Sequence, residues 1–196
     1  MNIRNAKKSE NETIASLIME AMDAECCQYL AGPKHTLHEF HQLMSRLVSQ
    51  EENLYSYQNT LVSVDDNDRI TGICVSYDGS AFQRLREPFL QGAKEYFGID
   101  HSQLTNETQA GELYVDSLCV IKSARHQGIA TALLNATKYK AIQSGLHSVG
   151  LLVDKNNPKA EKLYKSLGFQ YIEDSSWAGH PMKHLVQIIS DTEINL

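Results

Sequence analysis

The stretch that most restricts the fold runs from residue 112 to residue 145, where a strand-like run breaks into a glycine-containing turn and then a helix. Glu112 to Ile121 is dominated by apolar and β-branched side chains and reads as a strand. Arg125-His126-Gln127-Gly128-Ile129-Ala130-Thr131 follows. The helix spans Gly128 to Ser144, with Gly145 as its left-handed stop. Ile129, Ala132, Leu133, Ala136 and Tyr139 give it an apolar stripe, so packing sets its orientation. A helix N-terminus presents unpaired N–H groups and about half a positive charge, which suits a diphosphate. Gly128 and Ala130 have little or no side chain, so a phosphate can approach the backbone. Small residues at such a turn serve packing equally well, and this segment alone leaves both readings open.

The rest of the chain supplies a mixed α/β order. Ile3 to Ala6 is a short strand. Ser9-Glu10-Asn11-Glu12 has the capping-box form and precedes Ile14, Leu17, Ile18, Ala21 and Met22 at helical spacing. Thr36-Leu37-His38-Glu39 repeats that signal ahead of Phe40, Leu43, Met44 and Leu47. Residues 54–64 and 70–77 read as a hairpin turned at Asp65 to Asp68. Segment 79–98 has helical character, with Pro88 expected to kink or split it, and 99–110 reads as polar loop. Ser148 to Val153 is a buried strand, and Phe169 to Glu173 and Lys183 to Ile189 are the last two. No repeat or linker divides these elements, so one domain is expected over residues 1–196.

Composition excludes several classes. The formal net charge is -6, with 18 Lys+Arg against 24 Asp+Glu, and no basic stripe offers a nucleic-acid or anionic-membrane surface. The N-terminal residues lack the apolar core of a signal peptide, and no apolar run has membrane-spanning length. Cys26 and Cys27 are adjacent and cannot readily bridge. With Cys74 and Cys119 they fit no zinc spacing, so reduced thiols and a cytoplasmic setting are expected. His35, His38 and His41 lack accompanying ligands, and a metal site is not expected.

Asn157 to Phe169 is a complete helix in sequence: Asn157 as N-cap, Pro158 at the first helical position, and Gly168 as the stop. Ala160, Leu163, Tyr164 and Leu167 share one face, which alone makes Tyr164 an ordinary core residue. Together, Arg125-x-x-Gly128-x-Ala130 and Asn157-x-x-Ala160-x-x-Leu163-Tyr164-x-x-x-Gly168-Phe169 resemble the two hallmarks of the GNAT N-acetyltransferase superfamily. The second begins 27 residues after Ala130.

That resemblance implies an α/β (α+β) GNAT fold with a central mixed, mostly antiparallel sheet flanked by helices, and 79–110 as a helical insertion. It implies acetyl-CoA as cosubstrate, with the pyrophosphate on the N–H groups of Gln127, Gly128, Ile129, Ala130 and Thr131 in the loop that Arg125 opens. Leu118, Cys119 and Val120 would pair through their backbone with the pantetheine arm, which Asn157 would also contact. Tyr164 would protonate the departing thiolate. A phenol, with a pKa of about 10, keeps its proton at neutral pH.

Acetyl transfer also requires a neutral amine. Strand alternation places Glu112, Tyr114, Asp116, Leu118 and Val120 on one face, unless a bulge intervenes. Asp116 resembles the acid position of aminoglycoside-type members, and Glu112 is more readily a surface carboxylate. His126 stands at a variable position of the loop and is expected to face solvent. Leu152 occupies a position where relatives that acetylate protein N-termini often carry Glu, which favours a small-molecule amine acceptor. Asp154, near the strand end, would shape the turn. The acceptor wall is expected from the insertion, with Asp78, Arg84, Arg86 and Tyr96, and from the last hairpin, with Trp177 and His180. A non-catalytic acyl-CoA-binding module is the alternative, and a homodimer is left open.

Overall fold

In the computed structural model, which describes residues 1–190, seven strands form one sheet. They are β1 (Asn2–Asn5), β2 (Thr60–Val64), β3 (Ile70–Asp78), β4 (Leu113–Val120), β5 (Ser148–Asp154), β6 (Gln170–Trp177) and β7 (His180–Ile188), in the order β1-β2-β3-β4-β5-β7-β6. Only β4 and β5 run parallel; every other neighbouring pair is antiparallel. The helices are α1 (Asn11–Met22), α2 (Ala24–Ala31), α3 (Leu37–Val48), α4 (Phe82–Phe97), α5 (Ile129–Gln143) and α6 (Pro158–Ser166). The buried side chains of α1 to α4 form one apolar cluster with Val75, Tyr77 and Tyr114 of the sheet. Those of α5 form a second with Leu113, Val115 and Leu151. The sheet therefore lies between two cores.

Several local expectations are corrected. The cap before α1 is not Ser9 with Glu12 but the Glu10 carboxylate, which accepts the Lys7 backbone N–H at 2.7 Å and a pair of bonds from Arg4. The Thr36 box does form, with Oγ1 accepting from Glu39 N and the Glu39 carboxylate accepting from Thr36 N. α2 has no counterpart in the sequence reading. It starts at Asp23, whose carboxylate caps the Cys26 N–H at 2.8 Å, and stops at Gly32. Residues 54–59 are turn rather than strand, Pro88 sits inside a continuous α4, and the last hairpin is longer than expected. Tyr139 is exposed, and the stripe of α5 turns instead through Leu134, Thr137 and Ala141.

Two features of β4 position everything that follows. Opposite β3 the register passes from Val115↔Ser76 to Ser117↔Val75, leaving Asp116 unpaired in a bulge. A bulge adds a residue and reverses alternation beyond it. Tyr114 and Cys119 accordingly face the α1–α4 core, while Leu118 and Val120 pack with Leu113 and Val115 on the other side. The single face expected for Tyr114, Asp116, Leu118 and Val120 is therefore split. On its other edge β4 pairs with β5 only from Leu113↔Val149 to Val115↔Leu151, after which the two strands part.

Glu112 is not a surface carboxylate. It is buried, accepts from Thr108 Oγ1 at 2.7 Å and lies 2.9 Å from Nε2 of the buried His184. The space it occupies is the space a side chain at Gly150 would need, since a Cβ there would overlap the carboxylate. Gly150→Ala is expected to displace Glu112, break its pair with His184 and cost about 2–4 kcal/mol. Thermal denaturation checks this, and an unchanged Tm would mean that the pair relaxes freely.

Candidate active site

The loop between β4 and α5 supplies backbone donors. Gly128 caps α5 at φ 80°, ψ 4°, and His126, exposed to solvent, adopts φ 62°. Two left-handed residues in this short turn aim the chain into the helix, whose first N–H groups have no intrahelical acceptor. Nothing stands within 4 Å of where a Gly128 side chain would begin, so its glycine answers to conformation rather than crowding. Arg125 turns away, its Nε donating to Val120 O at 3.0 Å and its Nη2 pairing with Glu20 on α1 at 2.9 Å. Exposed donors at Gln127 and Gly128, continuing into Ile129, Ala130 and Thr131, fit a diphosphate.

Where β4 and β5 part, a cavity of about 580 Å³ opens. Asp116, Ser117 and Leu118 of β4 line it, with Leu152, Val153 and Asp154 of β5 opposite and Asn157, Ala160 and Tyr164 of α6 at one end. The β4 and β5 backbones are unpaired toward each other here, which leaves room for an extended chain to add between them. Asn157 Oδ1 is committed to capping α6 through Ala160 N at 3.1 Å, which leaves its amide nitrogen as a donor. Cys119, Val120 and the 125–131 loop lie outside the lining. Cys119 is buried, and desolvation pushes its thiol up to about 11. Asp154 shapes the turn as expected, accepting the Asn156 N–H at 2.6 Å, and also reaches the cavity.

The other end of the cavity is acidic and aromatic. Asp116, aimed inward by the bulge, accepts from Tyr77 Oη at 3.0 Å and Ser117 Oγ at 2.9 Å. Burial raises its pKa, while those two donors hold it down. Glu107, in the loop before β4, faces the same space and accepts from Tyr114 Oη at 3.2 Å and from the Trp177 indole. Burial and the nearby Asp116 charge push Glu107 up to about 8. Tyr55 and Trp177 complete the wall. Burial likewise drives Tyr164 well above a free phenol, so it holds its proton across the neutral range.

Not every residue expected at the acceptor side reaches it. Trp177 and His180 do line the cavity. Arg84 instead pairs with Glu52, Tyr96 stacks under Arg46 on the outside, and Asp78 caps the turn at Ser80. Arg86 is buried behind the wall, donating to Leu104 O at 3.0 Å and Gln83 Oε1 at 3.0 Å. Of the three histidines, His38 is exposed, and His41 packs back onto α1 through Glu12 O and Ser16 Oγ. Glu107 and Tyr55 were not expected. Glu107 sits in a polar stretch read as loop and Tyr55 at the start of a stretch read as strand, and each becomes a site residue only through long-range closure.

A mixed sheet parted beside its parallel pair, with an anion-ready loop on one strand and a phenol on the facing helix, defines an acyltransferase-type α/β fold. The comparisons agree. A family model for the acetyltransferase (GNAT) family matches residues 20–169. An acetyltransferase crystal structure superposes with a TM-score of 0.78 at 26% identity, over 97% of this chain and 100% of that one. An N-acetyltransferase from Staphylococcus aureus Mu50 shares the fold, with a TM-score of 0.78 at 22% identity over 95% and 100%. The GCN5-related N-acetyltransferase 6, chloroplastic, of Arabidopsis thaliana is 45% identical over 60 residues, 31% of this chain and 21% of that protein. The chain thus matches about a fifth of the length of that relative. It belongs to the GNAT acetyltransferase family, whose members are acyltransferases. Among the described residues no helix is long and apolar enough to cross a membrane.

Proposed function

We propose that this chain, as one domain with 79–110 as a helical insertion on the acceptor side, transfers the acetyl group of acetyl-CoA directly to a small-molecule amine in the cytoplasm. The observation that carries this reading is the single cavity joining Asp116 and Leu118 of β4 to Asn157 and Tyr164 of α6. The N–H groups from Gln127 to Thr131 would hold the pyrophosphate, and the open edge of β4 at Leu118 to Val120 with Asn157 would hold the pantetheine arm. Leu152 in the cavity wall, rather than an acid, favours a small amine over a protein N-terminus.

Bound acetyl-CoA supplies the acetyl group as a thioester: a C–N bond forms, the C–S bond breaks, and one proton is released overall. Asp116 takes a proton from the acceptor ammonium, which frees the nitrogen lone pair. Backbone N–H groups near Leu118 to Val120 polarise the carbonyl. Tyr164 gives its phenolic proton to the departing sulfur, and the second nitrogen proton restores the phenol.

The test is steady-state thiol release with an accepted amine. Tyr164→Phe and Asp116→Asn are each expected to lower kcat about 100-fold, with acetyl-CoA affinity retained. An unchanged kcat in either variant removes that residue from the mechanism.

A further inference from the structure

We propose that Glu107 completes the acceptor site, forming with Asp116 a two-carboxylate seat for a primary ammonium, and that this seat selects amines without a carboxylate beside the nitrogen. The inference rests on the acyltransferase reading above for the identity of the cavity, and names its substrate class.

Glu107 is carried by a loop, yet the loop is held at almost every step. Arg86 grips the Leu104 carbonyl, Thr105 Oγ1 donates to Ser176 O at 3.0 Å, and Gln83 Nε2 donates to Asn106 Oδ1 at 2.6 Å. Thr108 then bonds the buried Glu112. Side chains of α4, the β6 backbone and Glu112 just before β4 thus fix the segment from both sides, and Tyr114 and Trp177 orient the carboxylate itself. A half-buried carboxylate held facing the cavity by this many partners is positioned for a ligand rather than for solvent.

Charge and shape define that ligand. Two half-buried carboxylates face one cavity. An ammonium seated between them favours the ionised form of Glu107, as the nearby buried Arg86 guanidinium does, and that guanidinium offsets one of the two charges. One negative charge is left over, matched by a single ammonium. Tyr55, Tyr77, Tyr114 and Trp177 surround the pair, and aromatic faces attract a cation. An α-amino acid would bring its own carboxylate against Asp116 and Glu107, a like-charge contact in a poorly solvated space. Asp116 remains the proton acceptor, while Glu107 binds and positions the ammonium.

Trp177 is the only tryptophan of the chain and lines this cavity, so its fluorescence reports acceptor binding without turnover. The probes are pentylamine, norleucine (the same skeleton with an α-carboxylate) and pentanol, titrated into protein saturated with coenzyme A. Pentylamine is expected to give a saturable change, at least tenfold tighter than norleucine or pentanol. Glu107→Gln keeps an acceptor for Tyr114 and is expected to weaken pentylamine at least tenfold. Its coenzyme A affinity by calorimetry should match the parent, which also shows that it is folded. Equal binding of the three probes, an unaltered Glu107→Gln protein, or no response to pentylamine would each overturn the seat. If coenzyme A itself fails to bind while pentylamine, titrated into the free protein, behaves as expected, the cofactor reading fails and the seat stands.

Discussion

A Gly128→Val protein is expected to bind coenzyme A about 100-fold more weakly than the parent while melting within a few degrees of it. Gly128 holds φ 80° at the N-cap of α5, and the space around it is open. A valine would therefore meet no neighbour. Its cost is conformational: left-handed backbone costs an L-residue roughly 1–2 kcal/mol, and a β-branched one more. The loop can escape that strain by returning to negative φ, because it is exposed and little is packed on it. Doing so turns the N–H groups at the start of α5 away from their common direction, and those donors are what a pyrophosphate would use. Losing them by about 2.7 kcal/mol corresponds to the 100-fold change. Calorimetry with coenzyme A measures it, and an unchanged Kd would take the loop out of cofactor binding.

Glu107→Gln is expected to melt higher than the parent at pH 8.5 and to match it near pH 5. Burial and Asp116 raise the folded pKa of Glu107 to about 8, far above the ordinary carboxylate value. A raised pKa means that the native state holds the proton more tightly than the unfolded chain does. Its stabilisation is complete below the unfolded value and is lost as pH rises through the folded one. Between pH 5 and 8.5 the parent must ionise a poorly solvated carboxylate beside another, whereas glutamine never does. A difference of about 2–4 kcal/mol is expected at the upper end, or a Tm gap of roughly 5–10 °C. Lys140 is lowered to about 8 by burial and acts in the opposite direction, but it is common to both proteins and cancels in the difference. Parallel melting curves across this range would show that Glu107 ionises freely. The same substitution should thus stabilise the apo-protein and weaken the acceptor site, the usual relation when function keeps a charge where folding would not.

The loop and helix proposed for the cofactor were legible as structure because their information is local. A strand, a left-handed turn and a helix N-terminus occupy consecutive residues, so Arg125 to Thr131 and Asn157 to Phe169 carry their geometry in their own spacing. The acceptor half was only partly legible. Asp116 was named from strand alternation and the family resemblance, but the bulge that aims it depends on register with Val75 and Ser76, far away in sequence. Alternation without the bulge put Leu118 and Val120 on the wrong face. Glu107 lies in a polar stretch that composition assigns to solvent, and it faces the cavity only because Arg86, Thr105 and Thr108 tie the loop down. Among the elements, α2 escaped because its eight residues offer little periodicity, although Asp23 and Gly32 mark its two ends. Glu112 was misread for the reason that hid Glu107: its partner His184 arrives from the last hairpin.

The sheet that separates two cores also separates two kinds of inheritance. The proposed cofactor contacts draw on β4, α5 and α6, whereas the wall facing the acceptor draws on α1, the start of α2, the loop to β4 and the β6–β7 hairpin. A lineage could redraw the loop of residues 99–110, trading one nitrogen compound for another, while the proposed nucleotide grip stayed untouched. A laboratory library confined to that stretch would explore the same freedom without risking the half of the enzyme that every variant must keep.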